Sequence, residues 1–234
     1  MHYLLCLDFN YELKEAHMRE PINTLTHLVG IIMSFVGLVV MIINAAMKHN
    51  AVYLVGGIIF GMSMIALYSA STIYHWFNGK KEIILRLRKL DHAMIFVLIA
   101  GTYTPICLTA LKGTLGTSLL IAVWALAIIG IVMKVLFIHM PRWLSAGMYL
   151  FLGWISILFI YPLFKALPFN GFMWLVLGGI FYTVGSIFYA TKSEKIKIGK
   201  FGFHEIFHLF ILAGTFAHFV LINNYIMIDM PKPF

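Results

Sequence analysis

The sequence predicts an all-α membrane protein, a seven-transmembrane helix bundle with its N-terminus in the cytoplasm and its C-terminus outside. Three observations carry this expectation: an excess of apolar residues, seven long hydrophobic runs, and a one-sided distribution of Lys and Arg. Of the 234 residues, 62% are hydrophobic and 11% are charged, against roughly 45–50% and about 25% in soluble domains. A mean hydropathy of +0.93 agrees. The bilayer is therefore the expected solvent.

A helix needs ~20 apolar residues to cross ~30 Å of hydrocarbon. Such runs lie at Leu25–Met47, Val52–Trp76, His92–Leu111, Thr117–Phe137, Leu144–Phe164, Phe172–Ala190 and His204–Ile226. The first follows Glu20-Pro21, and proline suits the first turn of a helix. The second holds Gly57-x-x-x-Gly61, a spacing that lets helices pack closely. The third opens on Asp91-His92 and the seventh on His204. The runs are too long and too continuously apolar for strands, and open sheet edges do not survive in lipid. Short connections make neighbouring spans antiparallel. The expected organisation is a cytoplasmic N-terminal segment over 1–24 and one seven-span domain over 25–234. Residues 8–21 form a polar lead-in, expected as a short helix on the membrane surface. The first residues do not read as a signal peptide, because the apolar run from Tyr3 to Leu7 is too short. Cys6 and Cys107 match no C-x-x-C pattern and suggest neither a disulfide nor a redox site.

Charge sets the orientation. With the N-terminus and the even-numbered loops on one side, only Lys48, Lys112, Lys165 and Lys232 of the 17 Lys and Arg fall on the other. The positive-inside rule makes the crowded side cytoplasmic, and an inner (plasma) membrane is the expected location. The net charge of +8 is then a topology signal whose partner is anionic lipid, and nucleic-acid binding is not expected. G-protein-coupled receptors and rhodopsins normally have the N-terminus outside, and the seventh span has no lysine for retinal, so both classes are disfavoured.

Ionisable groups inside spans are functional candidates by default. His204 and His208, at i and i+4, share a helix face with Cβ atoms ~6 Å apart, close enough for both imidazoles to reach one ion. They form His204-Glu205-x-x-His208, the H-E-x-x-H string of zinc sites; interfacial histidines would read the same way. His75 ends the second span at the depth where the seventh begins. Three ligands with an open fourth position is the pattern of a catalytic zinc site. Asp91 lies at that level, either to orient or deprotonate a water at the metal or to stabilise a helix N-terminus. Ser71, one turn before His75, would serve a ligand or bond back to its own helix. Glu20, Asn23 and His27 either line the mouth of the site or cap and anchor the first span. His218 lies fourteen residues beyond His204, ~21 Å along the helix, too far to share the ion; it either lines a cavity or, as the simpler role, hydrogen-bonds within the bundle. His92 is expected to point away from Asp91.

Taken in order, Glu20-Pro21-x-Asn23, Ser71-x-x-x-His75, Leu90-Asp91-His92, Gly101-Thr102-Tyr103-Thr104-Pro105 and His204-Glu205-x-x-His208 resemble the bacterial hemolysin III family. That family is a branch of the progestin and adiponectin receptor (PAQR) group, in a superfamily that includes alkaline ceramidases. The resemblance covers the chain from about Glu20 onward. It implies zinc held near the inner leaflet by His75, His204 and His208, with Ser71 and Asp91 at the family's serine and aspartate positions. It also implies a part in membrane lipid homeostasis, with ceramide hydrolysis linked to eukaryotic members and haemolysis to some bacterial ones. Glu205 departs from the receptor branch, and it points ~100° away from His204 around the helix, a poor position for a base.

The expected function is a zinc-dependent hydrolase of a lipid amide or ester. The expected partners are membrane lipids, with a lipid substrate or fatty acid inside the bundle. The alternative is a non-catalytic sensor or regulator of membrane state with structural zinc. A pore-forming haemolysin ranks third, because no span carries a repeated polar stripe. A metalloprotease rests on H-E-x-x-H alone. Oligomeric state is open.

Overall fold

The computed structural model describes residues 18–111, 113–192, 199 and 201–228. Most of the N-terminal lead-in lies outside the described residues. The described chain is helical throughout its spans: α1 (Pro21–Met47), α2 (Ala51–Trp76), α3 (Lys81–Thr109), α4 (Gly113–Leu136), α5 (Arg142–Trp154), α6 (Ile160–Ala166), α7 (Phe169–Thr191) and α8 (Phe203–Val220). A 3₁₀ turn over Ile155–Phe159 joins α5 to α6 in one span, and a π-helical turn over Leu221–Ile228 extends α8. Seven helical segments are long and apolar enough to cross a membrane, as the hydrophobic runs predict.

The helices form a closed ring. α1 packs on α2 and α8, α8 on α7, α7 on α5, and α5 on both α3 and α4. α3 is the central helix: its most apolar window is 72% buried, against 28% in α1 and α4. The outer faces of α1 and α4 present Val29, Ile32, Phe35, Ile121, Ile128 and Val132, the surface that lipid tails would cover.

Three local features differ from the sequence expectation. α3 begins at Lys81, eleven residues before the run read at His92. Arg86, Arg88 and Lys89 dilute the hydropathy of that stretch but are good helix formers, so the helix continues past the apolar window. Asp91 therefore sits in the third turn and not at a helix N-terminus, which removes the helix-dipole explanation for it. The fifth span breaks at 155–159 because Pro162 cannot donate to the carbonyl of Leu158 and its ring crowds that turn. Where the span breaks, Tyr103 satisfies two backbone groups: its Oη donates to Gly153 O at 2.6 Å and accepts from Ser156 N at 2.9 Å.

The α3–α4 corner is the tightest. Gly113 enters α4 at φ +72°, a region that glycine occupies without a Cβ penalty. A Cβ on Gly116 would land on the backbone carbonyls of Leu111 and Cys107, which cannot swing aside. Gly116→Ala is accordingly expected to cost about 1–3 kcal/mol and to lower the thermal midpoint. Gly147→Ala, with nothing within 4 Å of its added Cβ, is expected to stay within about 0.5 kcal/mol of wild type.

Candidate metal centre

At one end of the bundle, the last turn of α2 meets the first two turns of α8. His75, His204 and His208 each offer a ring nitrogen there, and the three atoms lie within 4.8 Å of one another. The ring centroids form a nearly equilateral triangle: 5.1 Å for His75–His204, 4.9 Å for His75–His208 and 4.7 Å for His204–His208. The Nε2 atoms of His75 and His204 are 3.4 Å apart. Two nitrogens bound to one tetrahedral zinc at ~2.05 Å would be separated by roughly 3.3 Å.

Partners on the far side of the rings decide which nitrogens can bind. His75 Nδ1 lies 2.7 Å from Glu20 Oε2. Burial alone would raise the Glu20 carboxyl. The hydrogen bond and charge of His75, the Asn23 amide and Arg19 outweigh it and hold the group at about 2. Glu20 is therefore a carboxylate that can only accept, His75 Nδ1 carries the proton, and Nε2 presents its lone pair inward. The stabilisation from this pair is complete above the unperturbed carboxyl value of 4.5 and is lost only as pH falls toward 2. His208 follows the same logic. Thr26 Oγ1 donates to Asn23 O at 2.9 Å, so at 3.2 Å from His208 Nδ1 it accepts. His208 Nε2 is left free. Such carboxylate and hydroxyl partners orient ligand imidazoles in metal sites. The residues thus fit a metal ion: three ring nitrogens converge, and the partners behind His75 and His208 leave the Nε2 atoms of both facing inward.

Asn23 Nδ2 donates to Glu20 Oε2 at 3.0 Å and to Glu205 Oε1 at 3.1 Å. The other Glu205 oxygen accepts from Gly202 N at 2.9 Å, closing the first turn of α8. Glu205 is committed to a cap and to α1, and does not line the cavity. His27 does: it stacks on His208 at 3.6 Å, and both its ring nitrogens are buried without a hydrogen-bond partner. Among the three residues read together at the start of the first span, Glu20 thus supports a ring, Asn23 links two carboxylates and His27 faces the interior. Glu20 makes no side-chain cap bond to α1.

Two of the three histidines, His204 and His208, line a cavity of about 140 Å³, where a single water needs only ~10–15 Å³. The polar end is lined by His27, Ser71, Asp91, His92, His204 and His208. The rest is largely apolar, with Leu98, Ile106, Leu163 and Ile211 in its wall. Along α3 the lining runs from Asp91 to Ile106, a rise of ~22 Å. Ser71 Oγ faces Asp91 without forming a well-shaped hydrogen bond, and does not bond back to its helix. His92 does not point away from Asp91, as expected from adjacency; both line the cavity, and His92 Nδ1 is buried without a partner. His218 also lines the far part of the cavity. Its Nε2 is 3.4 Å from Leu175 O and its Nδ1 is unpartnered. Thr26 had no signal in the sequence beyond lying one residue before His27.

The family described as haemolysin-III related matches residues 16–219. A hemolysin-3 homolog of Bacillus subtilis (strain 168) is 44% identical over 206 residues, covering 88% of this chain and 93% of that protein. Hemolysin-3 of Bacillus cereus is 39% identical over 209 residues, 89% of this chain and 92% of its own length. The human monocyte to macrophage differentiation factor is 27% identical over 175 residues, 72% of this chain and 69% of its own.

Two substitutions separate the roles of the acidic residues. Glu20→Gln leaves His75 without its carboxylate and is expected to weaken zinc affinity about 10–100-fold, read by competition with a chromogenic chelator. Glu205→Gln is expected to lower stability by about 1–3 kcal/mol while bound metal, measured by mass spectrometry, is unchanged; a Glu205→Gln protein that folds normally and loses its metal contradicts the capping role.

Proposed function

The chain belongs to the haemolysin-III-related family of membrane proteins, and from that premise we propose that it is a zinc-dependent hydrolase cleaving an amide or ester bond of a membrane lipid. Its setting is the inner (plasma) membrane, with the histidine end of the bundle at the cytoplasmic face. The observation that supports this reading is that His204 and His208 of the histidine triad line the polar end of a deep apolar cavity together with Asp91 and Ser71. Half of the hydrocarbon core is ~15 Å deep, so a cavity running ~22 Å along α3 accommodates most of an acyl chain.

A zinc ion held by His75, His204 and His208 would supply Lewis acidity and bring the pKa of a bound water near ~7. Asp91 takes a proton at its carboxylate as the water oxygen bonds to the acyl carbon. It returns that proton to the leaving amine or alkoxide as the C–N or C–O bond breaks. The free hydroxyl of Ser71 donates to the acyl oxygen as charge develops there. The apolar wall holds the chain in line and excludes bulk water.

A second reading, a regulator with structural zinc, is favoured by one feature: Glu20, Asn23 and Glu205 bridge α1, α2 and α8 around the histidines. The two readings diverge on turnover. In proteoliposomes, Asp91→Asn is expected to keep its metal and lose about 10²–10⁴-fold in fatty-acid release. Wild type that binds zinc and releases no fatty acid from any lipid class supports the structural reading instead.

A further inference from the structure

Two cations meet at the first turn of α5. Lys134, in the last turn of α4, is 1% exposed and donates to Ser145 Oγ at 2.6 Å. Ser145 lies three residues after Arg142, on the same side of α5. The Arg142 guanidinium sits 5.7 Å over the Tyr189 ring and 5.2 Å over Phe203, and its Nη1 is buried without a hydrogen-bond partner. Among the described residues, the ion pairs are those of Arg19 and His75 with Glu20. Asp91 reaches Lys134 only beyond ion-pair distance.

The positive-inside rule does not account for this arrangement, because it is met by solvated side chains. A buried ammonium held by one hydroxyl and an orphaned guanidinium nitrogen are costly unless an anion completes them. The local backbone agrees. Pro141 gives α5 no side-chain cap, and the first intrahelical bond starts at Leu144 N, so the Arg142 and Trp143 N–H groups are open to an anion. Tyr189 connects this cluster to the metal centre. Its ring lies beneath Arg142, lines the cavity, and is 6.1 Å from the His204 ring and 6.4 Å from His92. His92, 7% exposed, brings its unpartnered Nδ1 to the same wall.

We infer that Arg142 and Lys134 bind the phosphate of a glycerophospholipid whose acyl chain enters the cavity. This makes an anionic ester lipid the substrate class and Arg142 the specificity-determining residue. The inference rests on the lipid-hydrolase reading for its substrate and on the cation cluster for its chemistry. In a glycerophospholipid, the phosphate and the acyl ester are a few bonds apart, so phosphate at Arg142 brings the ester toward the histidines.

The test is a binding titration of the purified, metal-loaded protein in a neutral detergent, followed by tryptophan fluorescence. The probes are dihexanoylphosphatidylglycerol, dihexanoylglycerol and inorganic phosphate. Wild type is expected to bind the phospholipid at least about tenfold more tightly than the phosphate-free lipid. Arg142→Gln is expected to lose that preference and Arg142→Lys to recover part of it. Lys134→Met, which keeps the buried volume apolar, gives the same reading should Arg142→Gln not fold. Inorganic phosphate binding as tightly as the phospholipid overturns the lipid source and leaves a soluble phosphate as the ligand. Equal affinity for the two lipids in wild type, or an undiminished preference in folded Arg142→Gln and Lys134→Met, overturns the inference. Binding needs no turnover. A phosphate preference without hydrolysis therefore removes the hydrolase reading alone, and hydrolysis without the preference removes this one alone.

Discussion

The ring nitrogens of three histidines must be aimed at one point inside an apolar bundle, and the end of the molecule that holds them is organised around that requirement. An imidazole can turn, change tautomer or take a proton, and each event would spoil the convergence. Glu20 behind His75 and Thr26 behind His208 remove those freedoms by receiving the Nδ1 protons. Thr26 can do so only because its own proton goes to Asn23 O. Asn23 in turn joins Glu20 to Glu205, so the start of α1 and the start of α8 fix the ligand geometry together.

The distribution of satisfied and unsatisfied polar atoms follows from the same constraint. On the outer side of the histidines, the supporting groups are largely paired with one another. On the inner side, buried polar atoms of His27, Ser71, His92 and His218 have no partner, and all four residues line the cavity. Buried groups of this kind are rare in folded proteins and costly in low dielectric. The grouping of three of them, His27, Ser71 and His92, at the polar end is what a site prepared for a polar ligand requires, with the largely apolar remainder suited to a hydrocarbon chain.

Much of this was legible in the sequence, and the limits have physical causes. The seven spans were readable because lipid demands unbroken apolar length. His204 and His208 were readable as a pair because i,i+4 spacing is local, and His75 joined them through topology, which fixes depth. The supporting contacts were not readable: Glu20–His75 and Thr26–His208 join residues 55 and 182 positions apart, and no periodicity encodes them. The early start of α3 was hidden because Arg86, Arg88 and Lys89 lower hydropathy without lowering helix propensity. The break in the fifth span had a local signal, Pro162, which a count of apolar length passes over. His92 was misjudged because adjacent helical residues were taken to face apart by ~100°, whereas the cavity is wide enough to be lined by both Asp91 and His92.

The most direct test of the metal centre is metal content by mass spectrometry on protein purified without chelators. Wild type is compared with His75→Ala and with the double variant His204→Ala/His208→Ala. The account predicts about one zinc per wild-type chain and none in either variant. Metal-free but well-folded wild type, or variants that keep the full complement of zinc, would contradict it.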